Sequence, residues 1–255
     1  MNERLESAIP WIFVISLLAI WELACVALHV PVFVLPRPSQ VTVSLYNQFG
    51  PIIDNSWTTL LRTLLGFAIA VVLGVVLGLA IGSSRLVYRG LYPVLVGFNS
   101  IPKVAVVPVF VIWFGIGTIP AVLTAFLVSF FPIAVNVATG LATIEPELLD
   151  VMRSLGAKKR KILMKVGLPR AMPYFFASLK VAITLAFVGT IISETVAANK
   201  GIGYLMMAAT ANFDTPLVFA GLFVIAVMGI VMYALFAVVE QRMTFWAKRG
   251  DGLMT

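Results

Sequence analysis

The sequence predicts an all-α, polytopic membrane protein with six transmembrane helices and both termini in the cytoplasm. Three observations predict it. Of 255 residues, 61% are apolar, and the mean hydropathy is +1.04. Only 11% are charged, against about 25% in an average soluble domain. Six apolar runs, each long enough to cross a hydrocarbon layer of about 30 Å, are separated by basic or proline-rich segments. This composition excludes a soluble globular enzyme, a disordered chain and a secreted disulfide scaffold. The lone cysteine, Cys25, excludes an intrachain disulfide, and with one histidine, His29, no metal site is expected. The net charge of +7 reads as basic loops beside membrane lipid, with no nucleic-acid partner.

Residues 9–30 form the first expected span, interrupted by Glu22. A cleaved signal peptide would have a shorter apolar core, about 7–15 residues, and a more basic start than Arg4 beside Glu3 and Glu6. The run is therefore read as retained. Residues 31–55 carry Pro31, Pro36, Pro38 and Pro51 and read as an extramembrane connection with a short amphipathic helix near 39–49. The second span, 56–81, has Gly66, Ala70, Gly74, Gly78 and Gly82 at intervals of four behind Arg62. Such a stripe lets membrane helices approach closely. The third span, 91–117, contains Pro93, Pro102 and Pro108 with Asn99 and Lys103. Proline breaks the helical ladder, and broken helices at membrane depth survive inside protein or beside a wet cavity. The fourth span is 118–140, with Pro132 and Asn136. The fifth is 173–195, ending at Glu194, and the sixth is 216–240. Between the last two, residues 196–215 read as a partly re-entrant loop.

The basic residues orient the bundle. With six spans, Arg4, Arg85, Arg89, Arg153, Lys158, Lys159, Arg160, Lys161, Lys165, Arg170, Arg242, Lys248 and Arg249 share the side of the termini. Arg37 and Lys200 lie opposite. Cytoplasmic loops carry the excess of lysine and arginine, so both termini are expected inside.

The cytoplasmic loop 141–172 has a pattern of its own. Pro146 suits a first helical turn, and Glu145, Glu147 and Asp150 suit its positive end. Leu148, Leu149, Met152 and Leu155 make one apolar face, and Gly156 supplies a stop that requires positive φ. A second short basic helix, 157–166, is expected to end ahead of Leu168-Pro169. The apolar face has two destinations: lipid headgroups, or a groove on a soluble partner.

Here the chain resembles the bacterial ABC importer permeases. Their cytoplasmic motif runs E-A-A, three residues, G, nine residues, I-x-L-P. This chain has Asp150-Val151-Met152, three residues, Gly156, nine residues, then Val166-Gly167-Leu168-Pro169. It departs with D-V-M for E-A-A and Val for Ile. SIPKVAVVPVFVIWFGIG (100–117) and ISETVAANKGIGYLMM (192–207) are similar to segments of permeases for sulfonates, taurine and nitrate, a group that includes transporters of thiamine-precursor pyrimidines. The resemblance covers about residues 56–245. It implies the type I ABC importer permease fold as a single domain, 1–255, in the bacterial inner membrane. It implies a homodimer of permeases that binds no cofactor, two copies of a cytoplasmic ABC ATPase, and a periplasmic substrate-binding protein. Each ATPase would take the 146–156 helix through Glu147, Leu148, Leu149, Asp150, Met152, Arg153, Leu155 and Gly156, with Leu168 and Pro169 closing the motif. The solute implied is a small anion such as a sulfonate, taurine or nitrate, or alternatively a pyrimidine or aromatic carboxylate.

The chain has no G-x-x-x-x-G-K-[ST] phosphate loop, so ATP hydrolysis is expected in a separate partner and no enzyme activity here. A self-sufficient secondary transporter or channel is the competing class, but the inverted repeats often seen in such proteins are not evident. A membrane-embedded enzyme would want clustered histidines or carboxylates, and the acids are scattered. Ionisable residues inside spans are functional candidates by default. Lys103, Asn99, Asn136 and Glu194 are the candidate pathway residues. Lys103 reads equally as a pathway residue or as the buried partner of an acid such as Glu194, and Glu194 equally as a structural partner of a base. Asn99 and Asn136 would bond a solute or a neighbouring helix. Glu22 reads as a bundle-facing carboxylate with a polar neighbour. Arg62 and Lys180 read as snorkelling residues near span ends, and Cys25 and His29 as filler.

In a Cys25→Ser background, single cysteines introduced at Ser84 and Lys159 should be shielded from an impermeant thiol reagent applied to intact cells. One at Gln48 should react. Labelling at position 159 from outside would refute the orientation.

Overall fold

A computed structural model describes residues 3–82, 84–143 and 145–244. The side chains of Arg4, Arg85, Leu149, Lys159 and Arg160, and the basic tail with Lys248 and Arg249, lie outside the described residues. Among the described residues all regular structure is helical, in the order α1 Glu3–Ala27, α2 Pro38–Asn47, α3 Phe49–Gly82, α4 Arg85–Asn99, α5 Val107–Phe114, α6 Thr118–Ala142, α7 Pro146–Ser154, α8 Lys159–Ile162, α9 Leu168–Ala197, α10 Ile202–Ala211 and α11 Thr215–Met243. A 3₁₀ turn, Lys103–Val106, precedes α5, and a π turn, Leu163–Gly167, joins α8 to α9.

Among the described residues, four helices are long and apolar enough to cross a membrane: α3, α6, Leu163–Ala197 and α11. The pair Leu86–Asn99 and Lys103–Phe114, bent by 77°, makes a fifth if it is one span. The first expected span, 9–30, falls on α1, in which Ile12–Ala27 is apolar.

Several boundaries also move, for reasons of proline chemistry. The second span begins at Phe49 rather than 56. Pro51 sits in the first turn of α3, where no backbone N–H is needed, so it starts the helix instead of excluding it. The expected break before Leu168-Pro169 is absent. The missing Pro169 donor is absorbed by the π turn, and the chain passes from α8 into α9 without a gap. The segment read as a loop at 196–215 contains α10, entered through Gly201 at φ +111°.

The core is the contact of α3, α6 and α9. Along α3 the small-residue stripe lies directly on α6. A Cβ at Gly66 would come 2.6 Å from Ala125 Cβ, one at Gly74 3.0 Å from Ile133, one at Gly78 2.7 Å from Val137 and one at Gly82 2.8 Å from Leu141. At each step the partner is 59 residues further on, so α3 and α6 run parallel. The chain must then return across the layer between Gly82 and Thr118, and the bent α4–α5 pair carries that crossing. α9 runs antiparallel to α6, with Gly140 against Ala171 and Tyr174 at one end and Gly189 against Thr124 at the other. α11 covers α9, and Phe236 stacks edge-on against Phe67 of α3 at 5.1 Å.

Gly78→Leu should wedge α3 from α6 and cost about 1–3 kcal/mol by overpacking. Gly97, with nothing within 4 Å of its would-be Cβ, should accept alanine. Thermal unfolding of the two variants in detergent checks this, and equal midpoints would contradict the packing assignment.

Candidate functional site

Three polar features break the apolar bundle. The first is the turn after α7. Gly156 has φ +74°, its N–H donates to Arg153 O at 2.9 Å, and Ala157 N–H donates to Met152 O at 3.0 Å. This reciprocal pair closes the helix in the αL geometry that glycine adopts without a Cβ clash. Arg153 pairs with Asp150 at 2.9 Å on the exposed face, and Arg170 pairs with Glu145 at 3.1 Å, tying the start of the loop to α9. Glu147 is exposed, Leu148 and Met152 are half-buried, and Leu155 is 76% exposed. Leu168 and Pro169 are exposed on the adjoining turn. The helix thus presents unpaired apolar surface at the end of the bundle that the charge pattern assigns to the cytoplasm.

The second feature is the break between α4 and α5. Pro102 cannot donate, and the helix stops at Asn99. The Lys103 ammonium donates to both the Asn99 carbonyl and, at 2.9 Å, the Asn99 Oδ1. Its Nζ lies 5.5 Å from the ring of Phe131, and Phe131 is at the middle of α6. Packing therefore puts this cation at the midpoint of the bundle. Asn136 is not part of the group, since its Nδ2 donates to Pro132 O of its own helix at 2.8 Å.

The third feature is a buried ion pair. Arg62 is 4% exposed and Glu194 1%, with Nη1 and Oε1 2.9 Å apart. Both groups have further partners. Arg62 also donates to Lys200 O at 2.6 Å and to Thr118 Oγ1. Glu194 Oε2 accepts from Thr59 Oγ1 at 2.8 Å and from Gly203 N at 3.2 Å. Thr59 Oγ1 in turn accepts from Ile202 N, and Asn55 Oδ1 accepts from Gly201 N. A Cβ at Gly201 would collide with the Glu194 carboxylate.

Two sequence readings are corrected here. Arg62 does not snorkel, because its guanidinium is enclosed by carboxylate, carbonyl and hydroxyl partners. Glu194 is not the partner of Lys103, because Arg62 holds it at the other end of the fold's polar network. Lys180 also finds an acid, pairing with Glu240 of α11. Glu22 is half-buried and has the polar neighbour expected of it, accepting from Ser39 N at 3.0 Å and Ser39 Oγ at 2.8 Å and so linking α1 to α2. Sequence reasoning missed Asn55, Thr59 and Thr118. The signal was present as a polar prefix, Asn55, Thr59, Arg62, on the face that continues as Gly66, Ala70 and Gly74.

Residues 70–245 match the family described as binding-protein-dependent transport system inner membrane component. Among curated proteins, the chain is 31% identical over 250 residues to a formylaminopyrimidine transport permease, ThiX, of Halalkalibacterium halodurans, covering 98% of this chain and all of that one. It is 34% identical to a riboflavin transport system permease, RibX, of Chloroflexus aurantiacus, over 90% of this chain and 87% of that one. It is 30% identical to a taurine transport system permease, TauC, of Escherichia coli, over 89% and 84%. Among solved structures, an inward-facing MetNI methionine ABC transporter chain superposes with a TM-score of 0.69 at 18% identity, over 78% of this chain and 98% of that one. At that identity the likeness is one of fold.

Removing one member of a buried ion pair typically costs about 3–5 kcal/mol, and removing both costs less. Arg62→Met and Glu194→Gln should each lower unfolding midpoints sharply, while Arg62→Met with Glu194→Met should recover part of the loss. Additive effects in this double-mutant cycle would show that the two side chains are not coupled.

Proposed function

The chain belongs to the family of binding-protein-dependent transport inner membrane components, and from that membership we propose a specific role. It is the permease subunit whose own helices line the path of a small anionic or zwitterionic solute, such as a sulfonate, taurine or nitrate. As a member of this family it is a multi-pass inner-membrane subunit without catalytic activity, served by a separate ATPase.

The observation that carries the reading is Lys103. A cation at mid-bundle with no carboxylate partner among the described residues cannot face lipid at tolerable cost. A broken backbone at that depth has the same requirement. Both demands are met if the α4–α5 break faces water. A positive charge in a low-dielectric passage attracts anions and repels cations several-fold more strongly than in bulk water. The exposed apolar surface of α4 and α5 supports a second copy of the chain across that passage. The parallel α3 and α6, the single return through α4–α5, and α1 counted as a crossing support six spans with both termini inside. At the cytoplasmic end, the exposed Leu155 and the Gly156 stop support docking of the 146–156 helix into one ATPase per permease. A periplasmic binding protein then delivers solute to the opposite mouth.

A second solute class has its own support. Similarity to the formylaminopyrimidine permease runs the full length of the chain, and a neutral pyrimidine needs no lysine. Uptake of labelled taurine into proteoliposomes holding permease, ATPase and binding protein, with and without ATP, tests the mechanism. A taurine gradient dissipated without ATP would favour a secondary transporter.

Leu155→Asp and Gly156→Val should leave the permease inserted and folded, since neither side chain supports the bundle. Both should release or uncouple the ATPase, because losing a buried anchor from an interface typically costs about 2 kcal/mol or more, and valine resists positive φ. Pull-down of the ATPase and ATP-driven uptake, measured together, check this. Full coupling in both variants would sink the assignment.

A further inference from the structure

The α4–α5 break forms a half-open cavity of about 210 Å³ lined by Phe98, Ile101, Lys103, Val106, Leu127 and Phe131. We propose that this cavity is a solute-binding site of the permease itself, selective for a monovalent organic acid carrying a short alkyl chain or a single aromatic ring. The inference rests on the pathway reading above and adds to it a site, a ligand class and a size limit.

Donor bookkeeping gives the head group. A lysine ammonium has three N–H donors. Two are directed at the Asn99 carbonyl and Oδ1, which leaves one for a ligand. Asn99 Oδ1 is engaged by Lys103, so its Nδ2 is turned the other way, and among the described residues that amide has no acceptor. Beside the cavity, the Lys103–Asn99 pair therefore offers one cationic and two neutral donors, with no carboxylate paired to Lys103 among the described residues. That array suits a group with several adjacent acceptor oxygens and one negative charge, a sulfonate or carboxylate. It offers nothing to an ammonium.

The walls give the body. Apart from Lys103, the five other lining residues are apolar, and two are phenylalanines from different helices. An inorganic anion would leave these walls in contact with water. Apolar cavities of about 150 Å³ are known to hold benzene, so about 210 Å³ accommodates one ring with its acidic substituent and excludes a fused tricyclic system. Cargo selection would then not rest on the binding protein alone, because the pathway adds its own filter at mid-membrane.

A purely structural role is the competing account of Lys103. Its bond to the Asn99 carbonyl caps the C-terminal end of α4, where cations are favoured. Capping explains the first donor but requires neither the cavity nor the unpaired amide.

The test is equilibrium binding of benzenesulfonate to the full-length chain in lipid nanodiscs, without ATPase or binding protein. Benzyl alcohol and benzylamine serve as probes of identical ring size. Benzenesulfonate should bind saturably, and both of the other probes about tenfold or more weakly, the ratio expected for one charge-assisted contact. Lys103→Met should abolish the preference for the acid, and Lys103→Arg should keep it. Phe131→Leu should weaken benzenesulfonate but leave methanesulfonate unchanged. Should Lys103→Met fail to fold, the three probes on the native chain with Asn99→Ala still decide. Equal binding of benzyl alcohol and benzenesulfonate, or an unchanged preference in Lys103→Met or Asn99→Ala, overturns the site. ATP-driven taurine uptake by the native complex is scored separately. Intact uptake with no benzenesulfonate binding rejects the site and keeps the function. Saturable, lysine-dependent binding without ATP-driven uptake rejects the function and keeps the site.

Discussion

The salt bridge between Arg62 and Glu194 is the interaction on which the arrangement of one half of the bundle depends. Two full charges with almost no solvent exposure would be prohibitive alone, since desolvating each costs several kcal/mol. The chain satisfies them by bringing five separate segments to one point: α3 through Asn55, Thr59 and Arg62, the start of α6 through Thr118, the end of α9 through Glu194, the 198–201 turn through Lys200 O, and α10 through the N–H groups of Ile202 and Gly203. Because a half-satisfied network is worse than an apolar core, these segments cannot move independently. The pair is therefore less a source of net stability than a constraint on which segments meet, and it fixes α10 against the bundle.

Below that point the constraint changes from charge to shape. Hydrophobic burial gives helices in lipid little reason to associate, so close backbone approach has to supply the contact. Gly66, Gly74, Gly78 and Gly82 provide it against α6, in a register that makes the two helices parallel. Parallel neighbours demand a crossing between them. The crossing that serves, α4 and α5, is bent by 77°, and at the bend stands a lysine bonded to an asparagine of its own chain rather than to an acid. Of Arg62, Lys103 and Lys180, the three cations that the sequence puts in or near spans, two have carboxylate partners and one does not. Pairing thus ties Arg62 and Lys180 into the fold, while Lys103 has no carboxylate partner among the described residues.

Much of this was legible in the sequence, and what was missed has a physical pattern. Helical class, the small-residue stripe, the broken third span and the positive φ at Gly156 all follow from periodicity and from backbone chemistry that acts within a few residues. The spacing and residues of the motif around Asp150, Gly156 and Leu168-Pro169, with the segments 100–117 and 192–207, carried the resemblance to the family. Partners distant in sequence were not legible. Nothing local says that Glu194 chooses Arg62, 132 residues away, over Lys103, or that Lys180 reaches Glu240. Proline was misjudged twice, each time as a helix breaker. Pro51 falls where a helix needs no donor and begins one, and Pro169 is absorbed by a π turn. Both outcomes depend on position within the turn, which composition does not reveal.

The central claim is that the one unpaired cation at mid-bundle faces water rather than lipid or a buried acid. It is tested most directly by the reactivity of a single cysteine at position 103, in a Cys25→Ser chain reconstituted with its ATPase. A charged, membrane-impermeant thiol reagent should modify it, and the rate should change when the ATPase is trapped with nucleotide. A cysteine at position 103 that resists the charged reagent in both states, yet reacts with a lipid-soluble maleimide, would contradict the account.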